Sequence, residues 1–249
     1  MMSSYQDVFK RVEKKYLLDR TQYANLLTGI GQHGMKQDSY GLHTISNIYY
    51  DTDDFTLIRL SLQKPVYKEK LRLRVYGAEV GAETQSFIEI KKKFDGVVYK
   101  RRTSLPLKEA VRVLRLRHMP ESCGQIGREI DRFTSFWPVS PKALIAYDRE
   151  AYFSEKEPEV RLTFDHSIRF RAEDLNLAQG SAGRLLLAPE QTLLEVKLPG
   201  VMPLWLCRLL ESNGARPVSL SKYGTAYTEY LSAAAFTSER TLSACLTAS

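Results

Sequence analysis

Lys68-Glu69-Lys70-Leu71-Arg72-Leu73-Arg74-Val75 alternates cations with other side chains at every second position. Successive side chains of an extended strand point to opposite faces, so this stretch puts Lys68, Lys70, Arg72 and Arg74 on one face. The other face carries Glu69, Leu71, Leu73 and Val75. A solvated sheet face explains one such strand on its own. The pattern recurs, however, in Glu89, Lys91 and Lys93, in Val98, Lys100 and Arg102, in Arg161, Thr163 and Asp165, and in Leu193, Glu195 and Lys197. The first strand adds Arg11, Glu13 and Lys15 on one face. LIAYDREAYF, with Tyr147 and Arg149 on the same side, decides nothing by itself.

Alternation of this kind predicts strands at about 8–18, 43–50, 68–77, 86–93, 96–104, 143–153, 159–171 and 191–198. Helical periodicity predicts helices over 19–29, 53–63, 106–117, 125–135, 202–213 and 222–235. The first is opened by Asp19, and the second is capped from Asp51-Thr52-Asp53 and stopped by Pro65. Residues 172–184 read as a loop. The fold class is therefore α+β: an antiparallel barrel whose apolar face packs outward under helices and whose charged face lines the interior. No repeat or low-complexity linker divides the chain, so one domain with a core of about 8–232 is expected.

Cations converging in a shielded interior repel one another, and a polyanion relieves that repulsion. Arginine offers bidentate contacts to phosphate and lysine a point charge. Glu13, Glu89, Asp165 and Glu195 are placed to hold a divalent cation beside the phosphates, the usual manner for magnesium or manganese. Composition agrees. The 249 residues carry 36 Lys and Arg against 29 Asp and Glu, a net charge of +7, and 43% hydrophobic residues. These values suit a globular protein with an anionic partner and exclude a disordered or collagen-like chain.

Cys123, Cys207 and Cys245 are odd in number and far apart, which fits a reducing compartment. His33, His43, His118 and His166 lack zinc-ligand spacing. The N-terminal stretch lacks a signal-peptide apolar core and no segment has membrane-spanning length, so a cytoplasmic location is expected. Gly29-Ile30-Gly31-Gln32-His33-Gly34 spells a dinucleotide fingerprint, yet no strand precedes it and no helix follows, so it reads as a helix end and turn. Met35-Lys36-Gln37 after it breaks the phosphate-loop pattern. Asp51-Thr52-Asp53 reads as a helix cap rather than a phosphoryl acceptor.

Glu13-Lys14-Lys15-Tyr16, Leu71-Arg72-Leu73-Arg74-Val75-Tyr76-Gly77, Glu89-Ile90-Lys91, Tyr147-Asp148-Arg149, Val160-Arg161-Leu162, Leu194-Glu195-Val196-Lys197 and Ser221-Lys222-Tyr223 occur in this order. The ordered set resembles the catalytic domain of the vacuolar transporter chaperone (VTC) complex, within the triphosphate tunnel metalloenzymes or CYTH superfamily, over roughly 8–232. The resemblance implies a tunnel-shaped polyphosphate polymerase that moves the terminal phosphate of ATP onto a growing polyphosphate chain with Mn²⁺ or Mg²⁺. It implies phosphate-holding roles for Lys15, Arg72, Arg74, Lys91, Lys100, Arg149, Arg161 and Lys222, with Ser221 beside Lys222. Glu195 matches the metal carboxylate, with Lys197 as its neighbour on the same face, and Glu13 and Glu89 are further metal candidates. Two positions depart from the pattern. Arg11 stands where the wider superfamily has a first acid, and Ser219 stands where the family tends to a second lysine. A triphosphatase of the same fold, or a non-catalytic binder of polyphosphate or RNA, are the alternatives. The cation faces carry few aromatics for base stacking, so nucleic acid is not the expected partner.

Overall fold

A computed structural model describes residues 8–9, 12–95 and 97–232. Arg11, Cys245 and the last three residues of the predicted 222–235 helix lie outside the described residues. The strands are β1 (Val8–Phe9), β2 (Val12–Leu18), β3 (Met35–Gln37), β4 (His43–Asp51), β5 (Tyr67–Tyr76), β6 (Gln85–Phe94), β7 (Val97–Pro106), β8 (Ser140–Ser154), β9 (Arg161–Arg171), β10 (Arg184–Leu185) and β11 (Thr192–Leu198). The helices are α1 (Arg20–Gln32), α2 (Thr56–Leu62), α3 (Leu107–Leu116), α4 (Gly124–Phe136), α5 (Leu204–Ser212) and α6 (Lys222–Ala226), the last running into a π-helical turn at Tyr227–Leu231.

All eleven strands form one antiparallel sheet in the order β1-β7-β6-β5-β4-β8-β9-β11-β2, with β3 on β8 and β10 on β9. Both ends of that order belong to one N-terminal segment: β1 pairs with β7 and β2 pairs with β11. The expected barrel is thus a curved tunnel-type sheet whose two edges are joined through consecutive strands of the chain. Among the described residues β7 and β11 do not pair directly.

The outer face carries two apolar cores. Leu71, Leu73, Val75, Ile88 and Ile90 pack under α3 and α4 with Ala110, Val113, Ile130 and Phe133. Leu162, Phe164, Leu194 and Val196 pack under α1 and α5 with Leu26, Ile30, Leu206 and Leu210. A third core departs from expectation because it lies on the inner face. Ile45, Ala143, Ile145 and Leu193 share that face with the charged residues and are covered by Tyr223, Ala226, Tyr227 and Leu231. The inner face is therefore half apolar, plugged by α6 and its π turn, and half charged.

Three local readings shift. The glycine-rich stretch stays helical through Gln32, is capped at His33, and turns at Gly34 with φ +74°. A side chain at position 29 would collide with Leu209, so glycine there lets α1 close on α5. Capping of α2 comes from Asp51, which accepts from the backbone N–H of Leu57 (2.9 Å) and Ile58 (3.0 Å), and from Thr52 Oγ1, which accepts from Thr56 N–H (2.8 Å). The helix starts later than predicted because residues 52–55 form the turn those caps need, while Asp53 is exposed and pairs with Lys142. The segment read as a loop contains a 3-10 turn at Leu177–Gln179 and ends on the first residue of β10.

Candidate functional site

Strand register stacks charges across the inner face. Lys68 lies opposite Lys93, Lys70 opposite Lys91, and Lys91 opposite Lys100. Like charges directly opposite destabilise a sheet by a few tenths to about 1 kcal/mol each. The register therefore holds an array that an anion would relieve. One row away, Arg72 and Arg102 both face Glu89 across the ladders.

The array encloses a cavity of about 250 Å³. From β5 and β6 come Lys70, Arg72, Arg74, Glu89 and Lys91, from β7 Lys100, from β4 and β8 Tyr49, Tyr147 and Arg149. Glu13 and Lys15 enter from β2, Glu195 and Lys197 from β11, and Ser221 and Lys222 from the start of α6. Among the described residues nine cations thus meet three carboxylates.

Two carboxylate nodes fix the cations. Arg72 Nε donates to Glu89 Oε2 at 2.6 Å, and Lys100 Nζ lies 3.1 Å and Arg74 3.9 Å from Glu89 Oε1. Burial works to raise the Glu89 pKa, but Arg72, Arg74 and Lys100 together hold it well below the usual carboxylate range. Arg74 Nε also donates to Asn47 Oδ1 at 2.8 Å. The second node is Glu195 with Asp165. Lys222 Nζ lies 3.0 Å from Glu195 and 2.5 Å from Asp165, while Arg149 donates to both Asp165 oxygens and reaches Glu195 at 3.2 Å. Lys15 and Lys197 approach Glu195 at 3.3 Å. The Glu195 pKa is held well below the usual carboxylate range for the same reason as that of Glu89: burial opposes the charge, and Lys222, Lys197, Lys15 and Arg149 outweigh it. Tyr147 underlies the node, with Lys222 Nζ 4.6 Å and Arg149 Cζ 5.0 Å from its ring centre.

Two of the lysines are held below their ordinary range. Burial, followed by the charges of Lys91, Lys68 and Lys15 acting against the partial relief of Tyr49, pushes Lys70 down to about 8. Lys100 is also pushed down to about 8, by burial and by Arg72 and Arg74 despite Glu89. Among the described residues Lys70 has no carboxylate partner and donates only to Ser221 Oγ, at 3.3 Å.

The structure brings together every site residue read from the sequence except Arg161. That side chain is half exposed at the end of β9 and pairs with Asp38 at 3.4 Å, so it does not reach the cavity. Its alternation with Thr163 and Asp165 is real, and it lies opposite Lys197 on β11, but its side chain turns to Asp38 instead of the cavity. Three contributors, Lys70, Tyr49 and Tyr147, are not among the site residues read from the sequence, and Asp165, read as a metal candidate, instead pairs with Arg149 and Lys222. Lys70 sits in the same alternation as Arg72 and Arg74, so its signal was present. Tyr49 and Tyr147 share inner-face parity with Asn47 and Arg149, and Asp165 is the partner opposite Arg149.

Among the described residues no three His, Cys, Asp or Glu side chains cluster to hold a metal ion alone. Glu13 and Glu195 flank the Lys15 ammonium at 3.4 and 3.3 Å. Two carboxylates supplemented by phosphate oxygens suit a hard divalent ion that keeps only one or two protein ligands. Glu89 is a further candidate, since its buried Oε1 accepts no hydrogen bond among the described residues although Lys100 lies 3.1 Å away, whereas both Glu195 oxygens face cations that a metal has to displace.

A family model described as VTC domain matches residues 10–230. No curated protein matches the chain. Among solved structures, a candidate adenylate cyclase from Bacillus halodurans is 17% identical with a TM-score of 0.54, the alignment covering 87% of this chain and 96% of that one. A candidate adenylate cyclase from Vibrio parahaemolyticus is 15% identical with a TM-score of 0.49, covering 86% and 96%. Likeness at this identity concerns the fold.

Proposed function

The chain belongs to the VTC domain family, and from that membership we propose that it is a metal-dependent polyphosphate polymerase, extending a chain with the terminal phosphate of ATP. The observation that supports this most is the meeting, among the described residues, of nine cations and three carboxylates around one cavity on the inner face of the sheet. A surplus of fixed positive charge in a shielded site suits a ligand carrying several negative charges in a row. We also read the chain as one domain built on its single sheet.

Phosphoryl transfer asks mainly for in-line positioning and neutralisation of oxygen charge. An oxygen of the terminal phosphate of the growing chain attacks the γ-phosphorus of ATP. The bond from that phosphorus to the β–γ bridging oxygen breaks, and ADP leaves with the electron pair. The nucleophile is already anionic, so no side chain has to remove a proton. Arg72 and Arg74, held by Glu89 and Asn47, present fixed guanidinium groups to the phosphates. Arg149 and Lys222, held by Asp165 and Glu195, do so from the opposite wall. Lys70, Lys91 and Lys100 supply charge to whichever oxygens carry the most. A bound Mn²⁺ or Mg²⁺ supplies further neutralisation of phosphate charge, and Glu195 with Glu13 would hold it.

The test is incubation with ATP labelled at the γ-phosphate, with Mn²⁺, followed by separation of polymer from free phosphate. Label in polymer with stoichiometric ADP is expected. Label released only as free phosphate would replace the polymerase reading with a triphosphatase, and no turnover of ATP would overturn both.

A further inference from the structure

Arg74 is held differently from Arg72 and Arg149, the other arginines that line the cavity. Arg149 gives its Nε and Nη2 to the two Asp165 oxygens, and Arg72 gives its Nε to Glu89. Each of these meets a ligand with a carboxylate at its back, which cancels part of its charge. Arg74 Nε instead donates to Asn47 Oδ1 at 2.8 Å, Nη2 to the Tyr147 hydroxyl at 3.2 Å and Nη1 to the Tyr76 hydroxyl at 3.4 Å. All three acceptors are uncharged. Glu89 Oε1 comes no nearer to Nη1 than 3.9 Å, beyond hydrogen-bonding distance.

A guanidinium has five N–H groups, one on Nε and two on each terminal nitrogen. With one from each nitrogen spent on Asn47, Tyr147 and Tyr76, one N–H remains on Nη1 and one on Nη2. That pair is the fork that takes two oxygens of a phosphate.

Asn47 suits its place by its chemistry. It is fully buried, and it lies directly opposite Arg74 on β5 and Ile145 on β8. Its Nδ2 donates to the Ile145 carbonyl at 3.0 Å, which turns its oxygen towards Arg74. An amide thus supplies the donor that the carbonyl needs and the acceptor that Nε needs. A carboxylate there would set a second acceptor against the carbonyl and cancel the guanidinium charge. An apolar side chain would leave both partners buried and unsatisfied. Asn47 does not itself line the cavity, so whatever it does for a ligand passes through Arg74.

Resting on the reading of the cavity as a phosphate site, we propose that Asn47 is a positioning residue for the transfer: it fixes the Arg74 guanidinium through Nε and leaves its charge uncompensated for the phosphates.

Calorimetric titration with inorganic triphosphate in chelator tests this on a double-mutant cycle of the unmodified protein, Asn47→Leu, Arg74→Lys and the two together. Asn47→Leu nearly keeps the volume and removes both hydrogen bonds, and affinity should fall about tenfold, equivalent to about 1.4 kcal/mol. Arg74→Lys keeps the charge but lacks the Nε that Asn47 holds, so in that background Asn47→Leu should change affinity by less than about twofold. Equal losses in both backgrounds would assign Asn47 a general structural role and overturn the proposal. So would a change within about twofold in the Arg74 background. If Asn47→Leu does not fold, Asn47→Ala replaces it in the cycle with the same outcomes, because it leaves room for a water on the two orphaned groups. Asn47→Asp keeps an acceptor and cancels the charge, and should lower affinity at least as far; unmodified affinity in that variant would overturn the role given to an uncharged holder. All of these outcomes leave the cavity reading intact. Failure of the unmodified protein to bind triphosphate would overturn that reading, and the role of Asn47 with it.

Discussion

Replacing Glu195 by glutamine keeps the side-chain volume and removes one charge from the most crowded node of the site. Four cations lie within 3.3 Å of that carboxylate. After the change Arg149 and Lys222 retain Asp165, and Lys15 retains Glu13, but Lys197 keeps only the Thr163 hydroxyl, at 3.4 Å. Removing one partner from a buried charge network costs about 3–5 kcal/mol. For a domain of this size each kcal/mol moves the melting temperature by about 2–4 °C, so the empty variant should melt about 6–20 °C lower. A polyanion supplies the missing negative charge. In unmodified protein, ligand at about 100 times its Kd adds about 2.7 kcal/mol. The variant should gain more than that from triphosphate in chelator, because the ligand also neutralises the stranded Lys197. Turnover with ATP and Mn²⁺ should fall at least about 100-fold, the scale of losing one group that stabilises transition-state charge. The assay is thermal unfolding with and without triphosphate, run beside ADP release. A melting temperature within about 2 °C of the unmodified protein together with normal turnover at limiting Mn²⁺ would refute the reasoning. If Glu13→Gln loses the turnover that Glu195→Gln retains, the metal lies at the other end of the pair.

Triphosphate affinity should fall as pH rises through about 8, where Lys70 and Lys100 lose charge, and titrations in Lys70→Arg should show a flatter profile. The sign for stability is opposite: between about 8 and 10.5 the unfolded chain binds more protons at these two lysines than the folded one. The empty protein should therefore gain stability with pH across that window, and saturating triphosphate should diminish the gain. Arg161→Ala should leave kcat and triphosphate affinity within about twofold, because an exposed ion pair contributes at most about 1 kcal/mol, and a large loss in either would return Arg161 to the site. Tyr223→Phe should lower stability in denaturant unfolding by about 1.5–3 kcal/mol, since its hydroxyl donates to the buried Asp51 carboxylate at 3.0 Å. An unchanged midpoint would remove that bond from the account of how α6 is seated.

Alternation was informative because it reports a local property, the side of the strand a residue occupies. Lys68 to Val75 disclosed the direction of Arg72 and Arg74, and Leu194 to Lys197 that of Glu195. Alternation does not report which partner a long side chain takes, so Arg161 has the right parity and pairs with Asp38 instead of reaching the cavity. Nor does it show what covers a face. Ile45, Ala143, Ile145 and Leu193 have inner-face parity, and only tertiary packing of α6 explains why those positions are apolar. The cap of α2 was legible as chemistry but not as geometry, because Asp51 bonds to Leu57 and Ile58 across a turn whose length the residue types leave open. The joining of both sheet edges through β1 and β2 depends on pairings between residues nearly a hundred or more positions apart, which no local pattern encodes.

The central claim is that a phosphate chain lies among the inner-face cations with a divalent ion on Glu195. A crystal structure of the protein soaked with triphosphate and Mn²⁺, with anomalous data collected at the manganese edge, tests it most directly. The account predicts phosphate oxygens within hydrogen-bonding distance of Arg72, Arg74, Arg149 and Lys222, and an anomalous peak bridging the triphosphate and the Glu195 carboxylate. Triphosphate bound outside the cavity, or manganese bound away from Glu195 and Glu13, would contradict it.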